Sequence, residues 1–228
     1  MWRPIGRSTK GPVDETRGGL LVGKSGGSVA GVEGALLDDI AGVHAEGYSV
    51  LLVHGGAPDI DRELQARAIP TKRIRGLRCT TQSVLGVIEC VLCGSVNKRL
   101  VRQLGARGVP AIGLSGEDGA LLVAEPDPQR ELGFVGRVQS VNPKPVRLLL
   151  GVGYVPVVAP LAVGADYSQA YNVNADAAAG AMQAEQLVFI TDVRRLLSDP
   201  CDASSAIDTL TAAQAWAFMQ GKSCGDGY

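Results

Sequence analysis

Between Leu20 and Asp192, short apolar runs that end in glycine or a polar residue alternate with amphipathic segments of helical spacing. The run "SVLLVHGG" (49–56) is rich in β-branched residues and leucine and closes on two glycines, which predicts a buried strand. Before it, Val32, Leu36, Ile40 and Val43 recur at helical spacing. After it, "PDIDRELQARA" reads as a helix opened by Pro58. "VPAIGLSG" (109–116), "YVPVVAPLAV" and "QLVFITD" read as further buried strands. The segment 80–108 reads as one long helical stretch with a break near Gly94, and "NADAAAGAMQAE" as another helix. "GALLVAE" and "LGFVGRVQSV" read as an exposed hairpin pair, and "NPKPVRLLLGVG" as a short helix capped by Asn142. Repeated strand–helix–strand units predict an α/β chain with a mainly parallel sheet and helices on both faces. In such sheets ligands sit at the carboxyl ends of the strands.

Composition narrows the function classes. The chain has 228 residues, 46% hydrophobic and 20% charged, enough for one α/β domain with a sizeable core. Net charge is −1 and no long basic run occurs, so no nucleic-acid partner is expected. No apolar run reaches membrane-span length, so no membrane partner is expected either. Residues 1–17 lack the apolar segment of a secretory signal and are expected to be a disordered leader. The five cysteines are scattered, which fits a reducing cytoplasm. Cys90 and Cys93 are expected to be core thiols, and no metal site is expected.

"GGLLVGKSGG" (18–27) satisfies the phosphate-loop pattern letter for letter. Its context does not. "GPVDETRG" before Gly18 is no buried strand, the apolar Leu20-Leu21-Val22 lies inside the supposed loop, and Gly26-Gly27 oppose a helix after Lys24. The stretch reads instead as a strand over 20–23 that ends at Lys24, followed by a glycine turn over 25–28. A second such turn, Gly55-Gly56, ends the next strand. Glycines there let backbone N–H groups face anionic oxygens, and Lys24 can neutralise charge on a transferring phosphoryl group.

The blocks "KSGGS" (24–28), "LLVHGGAPDI" (51–60), "GLRCT" (76–80), "GSVNKRLV" (94–101), "GLSGEDG" (113–119), "LGFVGRV" (132–138), "VNP" (141–143), "GYVPVVAP" (153–160), "YNVNADAAAGA" (171–181) and "TDV" (191–193) occur in that order. In this the chain resembles the amino-acid kinase family, in its acetylglutamate kinase branch, across roughly residues 20–215. The resemblance implies a three-layer α/β/α sandwich of the carbamate kinase-like type. It implies an acyl-amino-acid lobe over 18–185 and the start of a nucleotide lobe over 186–228, with the C-terminal part expected to be cut short.

The implied site residues follow from the matching positions. Lys24 and Asp176 would be catalytic, the first stabilising the phosphoryl group and the second organising the catalytic lysines. Gly55, Gly56, Ala57, Arg78 and Asn172 would bind substrate, with the planar Arg78 fork on its α-carboxylate. Gly26, Gly27 and Asp192 would bind nucleotide. The implied reaction is transfer of the γ-phosphoryl of ATP, brought as its Mg²⁺ complex, to the γ-carboxylate of N-acetyl-L-glutamate in arginine biosynthesis. The nucleophile is already ionised, so no general base is needed, and His54 is expected to be structural. Only Lys24 matches a family lysine, so turnover is expected to be slow. A homodimer or higher homo-oligomer is implied. Two alternatives stay open: a kinase acting on carrier-bound aminoadipate or glutamate in lysine biosynthesis, and a binding or regulatory protein with the kinase fold and no turnover.

Overall fold

The computed structural model describes residues 18–25, 33–174, 186–190, 195–199, 201–202 and 204–221. The expected leader (1–17) and the expected helix after Asn174 lie outside the described residues, as do Gly26, Gly27, Asp176 and Asp192.

Strand β2 (Tyr48–His54) buries every residue from Val50 to His54. Such a run is possible only where both faces of a sheet are covered. Val50 and Leu52 face one core, and Leu51 and Val53 face the other. The sheet has the order β11-β1-β2-β8-β5, with β1 Gly18–Ser25, β5 Ala111–Ser115, β8 Val155–Ala159 and β11 Gln186–Ile190. All its pairings are parallel.

One face is covered by helices α1 (Glu33–Ala45), α2 (Ala57–Ala66), α3 (Gln82–Glu89) and α4 (Asn97–Ala106), which contribute Leu37, Ile60, Ile88 and Leu100 to the larger core. On the other face lie α5 (Lys144–Gly151) and a closed four-strand barrel, β10-β7-β6-β9. Its strands are β6 (Leu122–Pro126), β7 (Val135–Val141), β9 (Leu161–Gly164) and β10 (Ala170–Val173). Two small hairpins, β3–β4 (Arg73–Ile74 with Leu77–Arg78) and β12–β13 (Leu196–Leu197 with Ala206–Ile207), and helix α6 (Ala212–Gly221) complete the described elements.

Several expectations change. β1 runs straight through Lys24 to Ser25, so residues 18–23 form a strand and the phosphate-loop reading is excluded. The stretch 80–108 does not break at Gly94. It continues through a π-helical segment, Cys90–Val96, that joins α3 to α4. The segment leaves Cys90 exposed, so it is no core thiol, while Cys93 is partly buried and packs against the larger core. Burial, then the charges of Glu117, Glu89 and Asp118, push the Cys93 thiol up to about 12. Among the described residues no cluster of His, Cys, Asp or Glu suits a metal ion.

"YVPVVAPLAV" is two strands, not one. Pro160 has no N–H for a ladder, and the chain passes there from the main sheet (β8) into the barrel (β9). The hairpin β6–β7 is part of that barrel, with Leu122, Ala124 and Val135 buried, rather than exposed. β11 is not buried: Val188 and Phe189 are 48% and 53% exposed on the outermost described strand. Asn142 caps from one position earlier than expected, its Oδ1 accepting from Lys144 N while Nδ2 donates to Gly119 O. No helix among the described residues is long and apolar enough to cross a membrane.

Candidate active site

The sheet register brings the carboxyl ends of its strands together. Ser25 pairs with His54, Lys24 with Val53 and Phe189, Val53 with Val158, and Ser115 with Ala159. Lys24, half-buried, therefore stands at the end of β1 beside the Gly55-Gly56 turn that follows β2.

That turn feeds α2, of which Ala57 is the first residue. Ala57 is absent from the residues of positive φ, so an alanine costs nothing at this position. Gly56 is required for space: a Cβ there would lie 2.7 Å from Leu92 Cδ2 and 3.2 Å from Val96 Cγ2 of the π segment. The amino end of α2 is thus held against the sheet, with its N–H groups at the strand ends.

Arg78 is placed by a two-residue hairpin. Arg75 and Gly76, at φ 49 and 79, form the tight turn between β3 and β4. The Arg78 side chain is 5% exposed. Its Nη1 lies 2.6 Å from Asp61 Oδ1 of α2 and 3.4 Å from Thr71 Oγ1. Nη2 is buried and meets no acceptor among the described residues. Arg78 is therefore not a solvated loop arginine.

Asn172, on β10, reaches the same region through Thr80. Asn172 Nδ2 donates to Thr80 Oγ1 at 3.4 Å, and Thr80 Oγ1 donates to Arg78 O at 3.0 Å. Thr80 is fully buried and stitched to the barrel: its N donates to Leu132 O, and its O accepts from Phe134 N. The structure therefore joins Arg78, Asn172 and the β2–α2 turn, the last through Asp61 one turn into α2. Asn174 is exposed just beyond β10.

His54 is 1% exposed. Its Nδ1 lies 2.9 Å from Gly55 O and its Nε2 lies 3.1 Å from Asn97 Nδ2. Burial, partly offset by the Gly55 bond and reinforced by the charges of Arg99 and Lys98, lowers its pKa to about 4. Neutral and bonded at both nitrogens, it is no general base. Asn97 and Lys98 were inside a quoted block, yet drew no role from the sequence. A signal was present: asparagine is a poor helix former in a stretch that is otherwise apolar at its spacing.

The chain matches the amino acid kinase family over residues 19–223. It belongs to the amino acid kinase family. The acetylglutamate kinase of Geobacillus kaustophilus is 46% identical over 187 residues, which cover 80% of this chain and 72% of that one. The acetylglutamate kinase of Brevibacillus brevis is 40% identical over 201 residues, covering 86% and 76%. An N-acetylglutamate synthase structure from Neisseria gonorrhoeae shares the fold at TM-score 0.74 and 24% identity, over 91% of this chain and 49% of that one. As a member of the amino acid kinase family the chain is an α/β phosphotransferase that takes its phosphoryl group from ATP.

Proposed function

We propose that the chain is an acetylglutamate kinase, phosphorylating the γ-carboxylate of N-acetyl-L-glutamate in arginine biosynthesis. The observation that carries the substrate is the buried Arg78 Nη2, which meets no acceptor among the described residues, beside Asn172 and α2. A buried guanidinium N–H without a partner costs roughly 1–3 kcal/mol, and a ligand carboxylate supplies the missing acceptor. The 40–46% identities to relatives named acetylglutamate kinase favour this reading over a carrier-bound substrate.

In this reading Arg78 holds the substrate α-carboxylate and Asn172 fixes its amide. Gly55, Gly56 and Ala57 present backbone N–H groups to the reacting end. Lys24 stands at the end of the strand next to that turn, where a cation suits a polyanion, so the residues present fit a nucleotide. ATP, as its Mg²⁺ complex, supplies the phosphoryl group and screens its charge. The γ-carboxylate is ionised at neutral pH, so the protein's work is positioning and charge neutralisation. Gly26, Gly27 and Asp192 in nucleotide binding, and Asp176 in organising the catalytic lysine, take the roles the resemblance gives them. Residues 18–185 would form the substrate lobe and 186 onward part of the nucleotide lobe. The sheet runs unbroken across that boundary through the β1–β11 pairing. A cytoplasmic homodimer or higher homo-oligomer completes the proposal.

The test is calorimetry with N-acetyl-L-glutamate and with unacylated L-glutamate. The reading expects the acylated ligand to bind and the other to bind at least ~10-fold more weakly. Equal binding would overturn it.

A further inference from the structure

Asn97 is the first residue of α4, delivered by the π-helical segment, and it is 1% exposed. Its amide plugs the carboxyl end of the sheet. Nδ2 lies 2.8 Å from Val157 O of β8, 3.3 Å from Leu114 O of β5 and 3.1 Å from His54 Nε2 of β2. Two of those partners are carbonyl oxygens, which can only accept, so the amide nitrogen must face them and its orientation is fixed. Oδ1 accepts from Lys98 Nζ at 3.1 Å, and that ammonium also donates to Gly113 O at 3.1 Å. The bond to an ammonium polarises the amide and strengthens its N–H donors. The slot is cut to fit: a Cβ on Gly113 would lie 1.7 Å from Asn97 Oδ1.

The bonding sequence has one consistent proton assignment. Gly55 O can only accept, so the ring proton sits on Nδ1 and is donated to it at 2.9 Å. Nε2 then accepts from Asn97 Nδ2, whose two hydrogens serve Val157 O and His54 and leave the 3.3 Å approach to Leu114 O the weakest. A trans peptide directs its N–H opposite to its C=O. Holding the Gly55 carbonyl toward the His54 ring therefore aims the Gly56 N–H the other way. We infer that Asn97 is a positioning residue: by fixing the His54 tautomer it sets the orientation of the Gly55–Gly56 peptide that receives the acyl amino acid. The clause about the acyl amino acid rests on the proposed function; the link from Asn97 to the turn does not.

The charged groups acting on the His54 ring are Arg99 and Lys98 of α4. β5 and β8 bring the carbonyls of Leu114 and Val157 to the Asn97 amide.

The experiment uses the chain's two histidines, His44 and His54, whose ring nitrogens give two sets of signals in ¹⁵N spectra. In the wild type, His54 is expected as the neutral Nδ1–H tautomer from about pH 6 to 8, with exposed His44 giving the second set of signals. Asn97→Asp keeps the shape but cannot donate to Nε2. Its carboxylate takes an Nε2–H instead, so His54 either becomes an imidazolium at low pH or loses the Nδ1 proton at high pH. The Gly56 amide signal is then expected to shift as pH rises. KM for N-acetyl-L-glutamate is expected to climb ~10-fold over the same range, with KM for ATP within about two-fold. A purely structural Asn97 would lower stability without that pH-linked split.

An Nε2–H tautomer in the wild type overturns the inference whether or not the variant folds. So does a Gly56 amide that does not move in Asn97→Asp. A wild type that ignores N-acetyl-L-glutamate overturns the proposed function instead, and the ring and amide spectra still decide the role of Asn97.

Discussion

Arg78 and Asp61 form a one-sided ion pair: Nη1 lies 2.6 Å from Oδ1, the arginine side chain is 5% exposed, the aspartate 48%, and the buried Nη2 meets no acceptor among the described residues. Asp61 ties the arginine to α2 and leaves one edge of the fork for a ligand. Arg78→Ala is expected to weaken N-acetyl-L-glutamate binding by about 1.5–3 kcal/mol, the range for hydrogen bonds to charged groups. Arg78→Lys is expected to recover less than half of that, because an ammonium cannot span both carboxylates as a planar fork does. Calorimetry on the two variants checks both statements, and full recovery by lysine would contradict the fork geometry.

The same pair has a signature in acid. Burial raises the Asp61 carboxyl, but the hydrogen bond and charge of Arg78, followed by Arg73, outweigh burial and hold it below its ordinary 3.8. A carboxylate depressed in the folded state contributes stability above its unfolded value, and the contribution is lost as pH falls through the folded value. Solvent screening keeps the contribution small at this exposure. Asp61→Asn is therefore expected to flatten the stability profile only below about pH 4. Chemical denaturation at stepped pH measures it, and a difference confined to neutral pH would argue against the pair.

His54 acts in a higher window. Its folded pKa of about 4 lies below its ordinary 6.5, because burial disfavours the imidazolium. The unfolded chain binds the proton first, so stability is full above pH ~6.5 and falls toward pH ~4, by as much as ~3 kcal/mol. His54→Gln should remove most of that slope. Thermal melts across the window report it, and an unchanged slope would mean that other groups set the acid limit.

Two glycines on adjacent elements should respond in opposite directions. Gly113→Ala drives a Cβ to 1.7 Å from Asn97 Oδ1 and is expected to cost about 1–3 kcal/mol or more. Gly86, within α3, has no atom within 4 Å of an added Cβ, so Gly86→Ala should gain ~0.5–1 kcal/mol from backbone entropy. Urea midpoints measured side by side decide it.

Much of this architecture was readable from residue order. The run Val50–His54 announced a strand covered on both faces, and Pro58 announced the start of α2, because each signal is local. The misreadings share a different cause. Whether β8 and β9 are one strand depends on which sheet each joins after Pro160. Whether Val188 is buried depends on what lies beyond β11. These facts belong to the sheet, not to the segment. In the site, the sequence offers Arg78 as a candidate carboxylate fork, but its burial and its tether to Asp61 cannot be read from residue order. Asn97 escaped because its role exists only once α4, β2, β5 and β8 converge on one amide.

The central claim is phosphoryl transfer to N-acetyl-L-glutamate with Lys24 neutralising the charge that develops. ADP release by the purified chain, coupled to hydroxylamine trapping of the acyl phosphate, tests it most directly. The account predicts release that depends on both MgATP and N-acetyl-L-glutamate, in step with trapped hydroxamate, and a ~10²–10³-fold loss in Lys24→Ala. Release that ignores N-acetyl-L-glutamate, or that survives Lys24→Ala unchanged, would contradict it.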